Sequence, residues 1–509
     1  VLQLMNEQGY ISDAEYQEAV NTPLADTLDV QPISTGCMAA DYDAGYFCDY
    51  VVHKILNSKE FGKTSEDRER LLKEGGLKIV TTLDIDANTL LNETARNTIP
   101  PEDSSGMEIV MASVKPGTGE VLGFGLNRTY DATEAAQNDQ TRDSMNYAVD
   151  REDGGGMGFN VGSTWKPINL VAWMRKGHSI NEVLPAPGVV NLYRDIPGFR
   201  GVNTWDVKNS GGTPGYAESP LDGLVNSHNT TQAAMAKVIG LEPIAQAAED
   251  IGFHQASKQK MNMHLKDDIA NGGAYQAPLI IGGTVSAAPL TMANVYATIA
   301  AKGVECTPIA IKKVTDATGA ELDVPKANCH QAVDPDIAET VAYAMNQGVV
   351  RPNGQARTAQ LANNRKTFAK TGTNENTYML TGGFVPQIAA FVAVGNADGN
   401  SDFDNKTING VYHRTWFGSY IATPTWKNFM DTYLTAINAP NVDYGTPSSK
   451  YSATSNSTSK SSRSSTSTTD GTTSGTGGTG DTSGQYTQTQ NDTTTGGNQT
   501  EGGQTTGGQ

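Results

Sequence analysis

Strand-like runs lie at both ends of the middle of this chain, and mostly helical patterning separates them. Met107 to Val114 and Glu120 to Phe124 are β-rich and joined by Lys115-Pro116-Gly117-Thr118-Gly119, a hairpin by composition. Strands return at Arg365 to Lys370, Tyr378 to Val385 and Ile388 to Asn396. In the interval, helices are expected at Leu221 to Val225, Thr230 to Ile239, Pro243 to Ile251 and Leu290 to Ala301. Asp334 can cap and Pro335 can open one more, carried through Ile337 to Asn346. Polar and Gly/Pro-rich stretches at 127–156 and 185–220 read as loops. This order predicts an α+β fold: one antiparallel sheet flanked by helices, built from both ends of the domain with the helical block inserted. A side chain on an inserted helix then faces a strand from the far end.

The inserted block holds Ser163-Thr164-Trp165-Lys166-Pro167, followed by an apolar run from Leu170 to Met174 that ends at Gly177. Proline lacks an N–H, so Pro167 belongs in the first turn of a helix and places Ser163 at its mouth. Lys166 falls one turn on, on the same face. A hydroxyl at a helix N-terminus with an amine in reach suits nucleophilic catalysis. A free lysine titrates near about 10.4, so a neutral amine at pH 7 needs a downward shift of roughly 3 units, about 4 kcal/mol. Burial and a second nearby cation supply such shifts. Ser-x-x-Lys recurs at Ser257 to Lys260 and Ser457 to Lys460, so the motif alone is better read as a capped helix with a solvated lysine.

Two further elements keep it company. Lys370-Thr371-Gly372-Thr373 follows a strand-like run, offering the second cation, a glycine that admits close backbone approach, and hydroxyls for an anion such as a carboxylate. Ser227-His228-Asn229 sits between two helical segments, where a helix cap is the simpler reading, and Ser-x-Asn recurs at Ser144 and Ser179. In order, the three fall at a helix mouth, an interhelical loop and a strand end.

Charge and cysteines narrow the rest. A formal charge of -18 argues against nucleic acid as a partner. No run of about 18 apolar residues is present to span a membrane. Seven scattered histidines and cysteines without knuckle spacing make a metal site unexpected, and no cofactor is implied. Four cysteines allow three pairings; closeness favours Cys37 with Cys48 and Cys306 with Cys329, in an oxidising setting, against the alternative of four reduced core thiols. Residues 1–28 read as two short helices joined at Gly9, the end of another domain. Gly76 to Asp84 reads as a turn and strand, with Asp84 capping a helix through Thr98. Residues 441–509, rich in Ser, Thr, Gly, Asn and Gln, read as a disordered tail.

Ser163-x-x-Lys166, Ser227-x-Asn229 and Lys370-Thr371-Gly372 together resemble the signature of serine D,D-peptidases and β-lactamases. Gly76 to Asp84, Gly283 to Gly303 (Ser286, Pro289, Leu290, Ala293, Tyr296), Gly382 to Pro386 and Trp426 to Met430 extend the resemblance to one family, the class A (bifunctional) penicillin-binding proteins. It covers most of residues 1–440. The resemblance implies a glycosyltransferase remnant at 1–28, an interdomain linker region at 29–104 and a transpeptidase domain at 105–440. It also implies an extracytoplasmic, cell-envelope enzyme whose N-terminal membrane anchor would precede Val1. By the same resemblance Ser163 attacks the D-Ala-D-Ala carbonyl of a peptidoglycan stem peptide and Lys166 is the general base. Ser227 and Lys370 relay a proton, Asn229 holds Lys166 and the substrate amide, and Thr371, Gly372 and Thr373 bind the substrate. The backbone N–H groups of Ser163 and Thr373 form an oxyanion hole. Stem peptides and β-lactams are the implied ligands, with cell-wall synthesis and division proteins as possible partners. His228 departs from the Asp of β-lactamases, and no Glu-x-x-Leu-Asn element follows Asn229 to supply their deacylating carboxylate. A D,D-carboxypeptidase and a non-catalytic β-lactam sensor or wall-binding scaffold are the alternatives.

Overall fold

The two ends of the domain do meet in one sheet. In the computed structural model, Phe368–Asn374, Tyr378–Val385, Ile388–Gly395, Glu108–Val114 and Val121–Leu126 lie side by side in that order, antiparallel throughout. The structure describes residues 1–23, 35–187, 207–257, 277–374, 376–396 and 402–453. Period-two alternation sends successive side chains to opposite faces. Thus Val110, Ala112 and Phe391 join a core with the fully buried helix Pro289–Ala300, while Ile109, Met111 and Val392 pack with helices Ile85–Thr98 and Ala422–Ala436. Both faces are covered, which is why these strands read as continuous apolar runs rather than alternating ones. Gly382 and Gly383 admit an aromatic ring on each face: a Cβ there would come within 2.6 Å of Tyr296 and of Trp426 respectively.

Three boundaries differ from expectation. The segment read as linker contributes to the domain itself. Lys78–Thr81 pairs with Ile311–Thr315, and Asp84 accepts from Ala87 N at 2.9 Å to cap helix Ile85–Thr98. That helix buries Ala87, Leu91 and Ala95 and covers the sheet's edge. Asn88 Oδ1 and Asn92 Oδ1 accept from the N–H groups of Phe124 and Leu126, at 3.2 Å each, so two side chains stand in for a missing strand. Secondly, the strand expected to end at Lys370 begins at Phe368 and runs to Asn374, because Tyr378–Val385 folds back and pairs with its whole length. Thirdly, residues 441–453, assigned to the tail by composition, are packed: Tyr444 and Tyr451 are buried, Tyr444 edge-on to Phe368 at 5.4 Å. Ser179 and Asn181 also donate to the carbonyls of residues 451–453. The remainder of the expected tail, and the other two Ser-x-x-Lys lysines, lie outside the described residues.

Cys37–Cys48 and Cys306–Cys329 are disulfide-bonded. Near the start, Leu2–Glu7 and Asp13–Asn21 form two helices with no buried residue, the second opened by a Ser12/Glu15 capping box. No described helix is long and apolar enough to cross a membrane.

Candidate active site

Gly162–Trp165 forms a 3-10 turn that leads into helix Lys166–Arg175, with Pro167 in its first turn as its missing N–H requires. The turn is held from three sides. Tyr296 donates its hydroxyl to Thr164 O at 3.0 Å, Trp165 Nε1 donates to Asn169 Oδ1 at 2.9 Å, and Gly162 N donates to Gly282 O at 3.2 Å. Trp165 is wholly buried, while Ser163 stays half-buried and open to a cleft of about 820 Å³.

The strand from the far end forms the sheet's edge and faces this turn. A Cβ on Gly372 would lie 2.9 Å from Thr164 Cγ2 and 3.2 Å from Thr164 N. Its glycine therefore lets strand and serine turn approach each other, as well as lining the cleft. Ser163, Thr371, Gly372 and Thr373 share that cleft with Ser227 and Asn229. Thr373 Oγ1 accepts from Gly418 N at 3.0 Å, fixing its hydroxyl beside the opening.

Ser227 joins helices Pro220–Val225 and Asn229–Ile239 with φ of 56°, left-handed and uncommon for a residue with a side chain. Its hydroxyl bridges the two amines: Lys370 Nζ lies 2.8 Å away and Lys166 Nζ 3.2 Å. Lys166 Nζ also donates to Ser227 O at 2.6 Å and Asn229 Oδ1 at 2.7 Å, and Lys370 Nζ to Thr371 O at 2.9 Å. A neutral Lys166 satisfies this set: two N–H groups serve two acceptor-only oxygens and the lone pair remains for a hydroxyl proton. Asn229 Nδ2 is engaged by Lys208 O at 2.8 Å.

Both amines are buried, and among the described residues no carboxylate contacts either. Burial, and then the neighbouring Lys370, hold Lys166 well below the usual lysine range. Burial pushes Lys370 down to about 7. The expected crowding of two amines is present, but it centres on Ser227; among the described residues no hydrogen bond joins Lys166 to Ser163 Oγ. In free enzymes such contacts are often long and tighten only with substrate.

Sequence reasoning missed two supports. Asn209 Oδ1 accepts from the N–H groups of Asn229 and Thr230 at 2.7 and 3.1 Å, capping the helix that carries Asn229. Glu218, buried, accepts from Asn226, His228 and Thr231. Neither lies in a motif; a cap can be sought just before a helix, but Asn209 comes 20 residues ahead. Among the described residues no cluster of three or more His, Cys, Asp or Glu could hold a metal ion.

Comparison with known proteins agrees with this geometry. The model of the penicillin binding protein transpeptidase domain matches residues 109–431. Penicillin-binding protein 1A of Mycolicibacterium smegmatis is 28% identical over 378 residues, 72% of this chain and 42% of that protein. Penicillin-binding protein 2D of Bacillus subtilis is 24% identical over 445 residues, 85% of this chain and 54% of that protein. The chain thus spans about half the length of the curated relatives it matches. Among solved structures, PonA1 of Mycobacterium tuberculosis in complex with penicillin V superposes with a TM-score of 0.61 at 22% identity, covering 76% of this chain and 93% of that one, a likeness of fold.

Proposed function

The chain belongs to the penicillin-binding protein transpeptidase family, and on that premise we propose that it is a D-Ala-D-Ala transpeptidase that cross-links peptidoglycan stem peptides through an acyl ester at Ser163. Its family's chemistry is that of a serine acyltransferase or peptidase; one observation supports its running through an acyl-serine, with the acceptor left to the experiment below. Ser227 Oγ bridges two buried amines, 2.8 Å from Lys370 and 3.2 Å from Lys166, that meet no carboxylate among the described residues. That arrangement supports proton transfer in both directions at neutral pH.

In the proposed cycle Lys166 takes the Ser163 proton as Oγ attacks the carbonyl between the two terminal D-alanines. The oxyanion that forms is stabilised by the N–H groups of Ser163 and Thr373, each such donor typically worth about 2.7 to 4 kcal/mol. Collapse breaks the peptide bond, and the departing D-alanine amine receives a proton through Ser227 from the lysine pair. An amine of a second stem peptide then attacks the ester, gives its proton back along the same path, and releases Ser163. Thr371 and Thr373 would receive the terminal carboxylate. A β-lactam enters the same first step but its leaving nitrogen stays tethered, so the acyl-serine persists. Peptidoglycan lies outside the cytoplasmic membrane, an address with which the two disulfides agree.

Intact-mass measurement after incubation with a penicillin, followed by peptide mapping, tests the nucleophile. One adduct on Ser163 is expected in the wild type and none in Ser163→Ala, which should fold normally. An adduct retained in that variant overturns the assignment. Turnover of a labelled stem peptide with and without an added amine acceptor tests the acceptor step; hydrolysis alone would indicate a carboxypeptidase.

A further inference from the structure

Ser227 must hold a left-handed backbone conformation, at φ of 56°, for its hydroxyl to reach both amines. Such a conformation persists in a residue with a side chain only where the surroundings impose it. The residues on either side of it are both tied to one carboxylate. Asn226 Nδ2 donates to Glu218 Oε1 at 2.9 Å, and His228 Nδ1 lies 3.0 Å from each Glu218 oxygen. Thr231, one turn into the next helix, donates its hydroxyl to Oε2. Glu218 is itself fixed by its backbone, which exchanges two hydrogen bonds with Leu184 at 2.9 and 3.0 Å, and it is only 4% exposed. A buried carboxylate with three side-chain donors around it is costly to place unless all of them are satisfied.

We infer that Glu218 is a positioning residue for acyl transfer: through Asn226, His228 and Thr231 it locks Ser227 in the conformation that bridges the two amines. The inference rests on the acyl-serine reading above. A second consequence is electrostatic. The carboxylate contacts neither lysine, yet its charge favours the ammonium form of Lys166, partly offsetting burial and Lys370. The groups facing this region are Lys166 from the serine helix, Lys370 from the edge strand and His228 from the loop. Tyr216 packs edge-on against His228, and Asp222 on the preceding helix is turned to Arg351 at 2.7 Å. Removing the charge of Glu218 therefore makes Lys166 easier to deprotonate while loosening Ser227.

Acylation of the full chain by a fluorescent penicillin, followed as a rate constant from pH 5 to 10, separates these effects. Glu218→Gln keeps the size but turns an NH2 toward three donors. Its acylation rate should fall tenfold or more, and the acid limb of its profile should move to lower pH. Glu218→Asp retains the charge on a shorter stem, so the rate should fall with the limb unmoved. A wild-type rate in Glu218→Gln, or a rate lowered equally at every pH, overturns the inference. Should that variant not fold, a wild-type rate in Glu218→Asp overturns it instead. Ser163→Ala runs in parallel: if it still labels, the acyl-serine reading has failed whatever the Glu218 variants do.

Discussion

Two regions of this molecule bury positive charge and treat it in opposite ways. Behind helix Gly45–Asn57, Lys54 Nζ lies 2.6 Å from Asp153 and His254 Nε2 lies 2.6 Å from Asp150. Burial opposes both cations, but Tyr50 and Asp153 hold Lys54 above the usual lysine range, and Asp150 lifts His254 to about 9. In the cleft, Lys166 and Lys370 are more deeply buried, and among the described residues they meet carbonyls, a hydroxyl and an amide but no carboxylate; there the shift is downward. Desolvation opposes the charged form in both regions; carboxylate partners reverse it in the first, and deeper burial without such a partner leaves the cleft amines able to accept protons. Glu218, whose charge favours the ammonium form of Lys166, is occupied by Asn226, His228 and Thr231.

If that contrast is right, disturbing the charges has opposite costs in the two places. Lys166→Met should slow penicillin acylation roughly 100- to 10,000-fold, the span of a lost general base, while the thermal midpoint stays level or rises. A large fall in midpoint would show that Lys166 is structural. Next in size, Asp150→Asn leaves the partly buried His254 without its counter-charge. Stability should drop by about 3 kcal/mol, at the low end for a buried pair because the His254 side chain keeps some solvent contact. The folded fraction should acylate at the wild-type rate; denaturant titration and acylation kinetics on one sample read both.

The contrast also explains what could be read from sequence. Pro167, Asp84 and Asp334 each mark a helix start through a local rule, and the observed helices begin within a residue or two of where they point. The meeting of Lys166, Ser227 and Lys370 beside the cleft that Ser163 lines is legible because each sits in a short motif. Glu218 is not, because its role arises from pairing with Leu184 and from three donors gathered on it by folding. Asn88 and Asn92 look like the polar face of a solvent-facing helix, yet they complete a sheet edge. Thr371-Gly372-Thr373 has the composition of a turn, and only the long partner Tyr378–Val385 keeps it extended. Each miss is a residue whose meaning lies in a partner far away in the chain.

The smallest expected effect is the most discriminating, because the two regions should respond to pH with opposite signs. Asp150 lifts His254 to about 9 in the folded chain, against about 6.5 unfolded. The stability it contributes is therefore complete below about 6.5 and is lost as pH rises through about 9. Lys370 titrates near about 7 folded and near about 10.4 unfolded, so its burial costs stability fully below 7 and the cost disappears as pH rises toward 10.4. Against the neutral double variant Asp150→Asn/His254→Asn, the wild type should lose about 2 kcal/mol of its advantage between pH 7 and 9. Against Lys370→Met it should gain a similar amount over the same interval. Urea midpoints at the two pH values measure both differences. Movement in the same direction for the two comparisons would mean that the cleft lysines are neutralised by some anion after all, and the reason for their reactivity would have to be sought elsewhere.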